Sequence, residues 1–169
     1  LFAIRPLTGI FLLTAFFATS YYSTYSYIEP FLKEQAGMDN SLVTASLMLF
    51  GMAGILGSVA FSRYYTRNRY AFNTCCFIVI GACIALLLPV SGSIPVTLLL
   101  LGLWGMVGTA FNIAMQSEII NIAPPEGTSV TMSIFSGIFN FGIGTGAFIG
   151  GMVCRHIGLP HIGTVGGII

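Results

Sequence analysis

Charge is the scarcest commodity in this chain. Of 169 residues, six are Lys or Arg and five are Asp or Glu, which is 7% of the total and a net charge of +1. Soluble domains carry about 25% charged residues, so a water-surrounded globule of this composition is excluded. The near-zero balance also removes the case for a nucleic-acid partner. Cysteine numbers only four. Cys75, Cys76, Cys83 and Cys154 form no C-x-x-C pair, and no His stands at ligand spacing from them. They read as small apolar side chains inside helices, with no disulfide framework, metal site or cofactor implied. The two histidines, His156 and His161, flank a turn. No Ser–His, paired-carboxylate or metal-ligand grouping falls at helical spacing inside an apolar run, so no catalytic residue is assigned and an enzyme is not expected.

Long apolar runs take up the space that charge leaves. The chain is 56% hydrophobic with a mean hydropathy of +0.93. A helix rises 1.5 Å per residue, so about 20 residues cross a hydrocarbon core. The runs occupy 7–28, 42–62, 70–88, 96–119 and 128–154, and a short sixth covers 159–169. The expected fold is therefore all-α: a polytopic membrane helix bundle with five full spans and the start of a sixth. Glu29-Pro30 is expected to close the first span, Asn40 or Ser41 to cap the second, and Thr128 or Ser129 to cap the fifth. The segment 89–95 reads as an uncharged turn. Residue 1 is Leu rather than Met, and the last run is too short to cross. The expectation is a piece of a longer chain.

Lys and Arg in short loops set orientation. Arg5 and the cluster Arg63, Arg67 and Arg69 fall on one side, Lys33 and Arg155 on the other. The excess places the residue 1 end and the arginine loop in the cytoplasm.

Small and polar residues then recur at helical spacing. Gly142, Gly146 and Gly150 share one face of the fifth span, and Gly54 and Gly57 mark the second. Such stripes let helix backbones approach closely in lipid. Thr14, Ala18, Tyr21, Tyr25 and Glu29 line up on the first span, Trp104, Gly108, Asn112 and Gln116 on the fourth, and Ser133, Ser136, Gly137 and Asn140 on the fifth. Amides do not point into hydrocarbon cheaply. They bond neighbouring helices or face a wet pathway. Polar stripes on three helices imply a shared cavity, with Tyr21, Tyr25, Glu29, Asn112, Gln116, Ser136 and Asn140 as candidates to line it. Aromatic rings with hydroxyls suit sugars, which present apolar C–H faces and a rim of OH groups. Glu29 and Glu118 lie at span ends, where a carboxylate either meets water or takes a functional part.

Two stretches carry a resemblance. Tyr25-Ser-Tyr-Ile-Glu-Pro-Phe31 and Phe135-Ser-Gly-Ile-Phe-Asn-Phe-Gly-Ile-Gly-Thr-Gly-Ala147 resemble bacterial sugar efflux transporters, in the drug-proton antiporter branch of the major facilitator superfamily. The similarity spans nearly the whole chain and corresponds to the C-terminal half of a twelve-helix protein. It implies a central cavity between two six-helix halves, each of nested inverted repeats. Cavity-lining roles for the first and fourth spans, and Ser136 and Asn140 on the fifth, are also implied. Sugars of the arabinose or thiogalactoside type would leave the cytoplasm across the bacterial inner membrane against protons. The partners implied are the lipid bilayer, a sugar, protons and the missing N-terminal half. The stretch 57–67 keeps the arginines of the superfamily's loop motif, but Phe61 and Ser62 stand where its aspartate would fall. A multidrug exporter of the same superfamily is the alternative. A non-transporting gene fragment or packing-only membrane protein is the alternative of another class.

Overall fold

The computed structural model describes residues 5–168. The side chain of Arg5 and the end of the sixth run at residue 169 lie outside the described residues. The chain is all-helical in that range: α1 (Arg5–Tyr25), α2 (Ile28–Glu34), α3 (Asn40–Tyr64), α4 (Arg69–Val90), α5 (Ile94–Ile122), α6 (Thr128–His156) and α7 (Ile162–Ile168). Short 3₁₀ turns precede α6 and α7. Among the described residues, four helical segments, Asn40–Tyr64, Arg69–Val90, Ile94–Ile122 and Pro125–His156, are long and apolar enough to cross a membrane. With 21 residues α1 has the length, but its second half is rich in Ser, Thr and Tyr. Large apolar side chains point outward along the bundle, among them Phe16, Met52, Leu99 and Phe141, each more than 60% exposed. An exterior of this kind is stable only against lipid.

Local chemistry moves several of the expected boundaries. The first span does not end at Glu29-Pro30. It stops at Tyr25, turns through Ser26 and Tyr27, and a new helix α2 begins at Ile28. Pro30 sits in the first turn of α2, where its missing N–H is not needed. The cap of α3 is Asp39, not Asn40 or Ser41, and its carboxylate accepts from the Leu42 N–H at 3.3 Å. Asn68 caps α4 in the same way through the Ala71 N–H at 3.1 Å. The expected turn at 89–95 is shorter, because α4 runs on to Val90 with Pro89 inside its last turn. Neither Thr128 nor Ser129 caps α6. Gly127 holds that position without a side-chain bond, and the Thr128 hydroxyl donates to the Pro124 carbonyl at 3.1 Å. At the other end of α6, Gly158 adopts φ 110°, a left-handed value that favours glycine, and turns the chain toward α7.

Helices pack as meshed pairs. α1 lies along α6, and α3 and α4 lie along α5, while α7 tucks between α4 and α1. Contact of α5 with α1 and α6 is far sparser. The meshing rests on glycine. A Cβ at Gly57 would overlap the Met106 carbonyl, and one at Gly105 the Phe50 carbonyl, across α3 and α5. On α6, Gly142 faces Ala18, Gly146 faces the Thr19 carbonyl and Gly150 faces the Ser23 carbonyl of α1. Gly54 meets the Thr109 side chain of α5. The seam with α7 is polar: the Ser20 hydroxyl donates to the Gly166 carbonyl at 2.6 Å, and that of Thr24 to the Ile162 carbonyl at 3.1 Å.

Candidate functional site

The sparse seam between α1, α5 and α6 opens into a groove of about 330 Å³. Phe17, Tyr21 and Tyr22 come from α1, Gly108, Thr109 and Asn112 from α5, and Phe139 from α6. Tyr21 reaches across to α5 because Gly108 has no side chain; a Cβ there would come within 2.8 Å of the Tyr21 hydroxyl oxygen. One turn further along α5, the Gln116 amide donates from Nε2 to Asn112 Oδ1 at 2.6 Å. That bond fixes the Asn112 amide plane and occupies its oxygen, leaving its NH₂ as the free donor of that side chain. The site thus offers aromatic faces, phenol hydroxyls, a threonine hydroxyl and an oriented amide donor.

The candidates of the sequence are distributed unevenly around it. Tyr21 and Asn112 line the groove, and Gln116 stands behind Asn112. Tyr25 lies beside it in an aromatic stack, its ring 5.2 Å from Phe50 and 6.2 Å from Trp104. Trp104 is fully buried at the centre of that stack, and its indole N–H has no hydrogen-bond partner among the described residues. Ser136 and Asn140 lie on the exposed face of α6, where the Asn140 amide donates to the Ser136 carbonyl at 2.8 Å. Ser133 bonds back to Ser129 on the same face. Glu29 is far from this groove in character. The turn at Ser26 and Tyr27 takes it off the line of α1, and it forms an exposed ion pair with Lys33 at 2.7 Å. It borders a separate open recess with Asn40, Val43 and Thr44. Tyr22, Thr109 and the aromatic wall of Phe17 and Phe139 were not singled out from the sequence.

A second polar cluster sits near the C-terminal end of α5. The Glu118 carboxylate is buried and accepts from the Tyr65 hydroxyl at 2.9 Å and from the Asn73 amide at 3.4 Å. Arg69 approaches its other oxygen at 3.6 Å. Of the loop arginines, Arg69 is therefore bound into the bundle, whereas Arg63 and Arg67 are exposed and make no ion pair among the described residues. Burial, then the hydrogen bond to Glu118, pushes the Tyr65 phenol up to about 12. Among the described residues no group of His, Cys, Asp and Glu could hold a metal ion, and all four cysteines are free thiols.

Against known families, residues 1–147 match the family model described as Major Facilitator Superfamily.

Proposed function

The chain belongs to the major facilitator superfamily, whose members are multi-pass membrane transporters and not enzymes, and from that premise we propose that it forms one wall of a proton-linked exporter of sugars or sugar-like compounds in the bacterial inner membrane. The observation that carries this reading is the groove of Tyr21, Tyr22, Thr109 and Asn112. Phenol rings stack on the apolar faces of a pyranose, while the hydroxyls and the Asn112 amide bond its OH rim. Ser136 and Asn140, exposed on α6, belong to the same substrate path in this reading, and Tyr25 backs it. The opposite wall is a second six-helix half. Transport then proceeds by rocking one half against the other around the site. No carboxylate lines the groove among the described residues, so the reading puts the proton carrier in the other half. The arginine loop and the residue 1 end face the cytoplasm.

Phe17 and Phe139 in the wall favour one competitor, export of lipophilic drugs. Accumulation of labelled arabinose and thiogalactoside in cells producing the full-length transporter separates the two. Export of sugar that Asn112→Leu and Tyr21→Leu weaken supports the sugar reading. Sugar retention unaffected by the protein, with efflux of a lipophilic cation instead, refutes it.

A further inference from the structure

A recess of about 200 Å³ opens at the C-terminal end of α6, remote from the substrate groove. We infer that it seats the phosphate headgroup of an anionic phospholipid. The recess is bordered by Phe148, Gly151, Met152, Arg155 and His156 of α6, with the Tyr27 ring as its far wall. Phe148, Met152 and Arg155 follow one another at helical spacing. An apolar track therefore runs up one face of a membrane-spanning helix for about 10 Å and ends in a cation. Phe148 and Met152 are 69% and 48% exposed, so the track is open to acyl chains.

The polar end is exposed and holds its cations in the last turn of α6. The ion pairs among the described residues are Lys33 with Glu29 and Arg69 with Glu118; Arg155 and His156 take no part in them. The Tyr27 hydroxyl spends its proton on the Ala147 carbonyl at 3.1 Å, which holds the ring in place. A side chain at 151 would collide with that hydroxyl, so Gly151 keeps the recess formed. A phosphodiester would sit against Arg155 and His156, near the helix end, with its first acyl carbons on Met152 and Phe148. A cation that only anchored the helix in the interface would need no walled recess beneath it. The inference does not depend on which solute the transporter carries.

Native mass spectrometry of the full-length transporter, released from detergent with phosphatidylglycerol or phosphatidylcholine added, tests it. We expect preferential retention of phosphatidylglycerol, and a loss of about five-fold in its affinity for Arg155→Gln, the effect of one basic residue near an anionic headgroup. Phe148→Ser should weaken the lipid as well, whereas Arg63→Gln, in the loop of the other helix ends, should not. Both test residues are exposed, and circular dichroism checks that each variant keeps its helix content. Equal retention of the two lipids, or an unchanged affinity in both Arg155→Gln and Phe148→Ser, would overturn the assignment. Displacement of the lipid by an equal concentration of inorganic phosphate would also overturn it, by showing that the acyl track contributes nothing.

Discussion

The Tyr65 hydroxyl, just past the end of α3, donates to the Glu118 carboxylate near the end of α5 across 2.9 Å. Fifty-three residues of chain separate the two, so the bond fastens the α3–α4 loop to the bundle. Around it gather Arg69 at 3.6 Å and Asn73 at 3.4 Å. A buried carboxylate is tolerable only with such company. Removing the phenol oxygen with Tyr65→Phe leaves Glu118 one donor short, at a cost of about 1–3 kcal/mol. Glu118→Leu removes the carboxylate together with its need for partners, but strands the Asn73 amide, while the exposed Arg69 turns to water. Both variants should lower the thermal midpoint in detergent, and the double variant should cost less than the sum of the two. Strict additivity would show that the residues are not coupled.

Alkaline titration reads the same bond in another way. The Tyr65 phenol is held at about 12 against an ordinary 10.0, chiefly by burial. The folded state thus keeps a proton that the unfolded chain has already lost. Stability from this group is complete below pH 10 and declines as pH rises toward 12. Thermal midpoints measured across that window should fall more steeply in the parent than in Tyr65→Phe, which has no phenol there to ionise.

Two glycines on α6 make a matched comparison. A methyl at Gly146 would press on the Thr19 carbonyl of α1 at 2.5 Å, whereas one at Gly144 would meet nothing within 4 Å. Gly146→Ala should therefore destabilise by about 1–3 kcal/mol through overpacking. Gly144→Ala should be neutral or stabilise by up to about 1 kcal/mol, the difference in helix propensity. Detergent-resistance half-lives of the two variants distinguish them directly.

In the proposed sugar path Gln116 acts through Asn112. Its amide holds Asn112 Oδ1 at 2.6 Å, so Gln116→Leu should release the Asn112 side chain without touching the groove wall. Substrate KM is expected to rise by up to about ten-fold, the worth of one hydrogen bond, with a smaller effect on turnover. Gln116→Glu keeps an acceptor but loses the donor, and should not restore the parent KM.

Much of the architecture was legible because lipid enforces it. Apolar runs of membrane length stand out from the charge clusters, and the superfamily match over residues 1–147 agrees with the all-helical bundle read from them. The glycine positions were legible as well, since spacing of four puts Gly142, Gly146 and Gly150 on one face whatever the neighbour. Ends of helices were not. Asp39 and Asn68 outcompeted the expected caps, or supplied unexpected ones, through bonds of one residue's geometry. The break at Ser26 was hidden because Pro30 looked like a terminator, while in the fold it opens the next helix. That break is also why Glu29, in phase with Tyr21 and Tyr25 on paper, stands apart in space. Glu118 was ambiguous for another reason: its partners Tyr65, Asn73 and Arg69 lie on other elements, and long-range pairing leaves no periodic trace.

Where two backbones touch at a glycine, neither helix can slip without first lifting clear of the other, so α3 with α5, and α1 with α6, travel as welded units. The seam that divides them is filled by side chains, which yield by rotating. Shear between the units would meet least resistance along the groove that Tyr21 and Asn112 line, with α7 as the hinge side where α4 and α1 are joined.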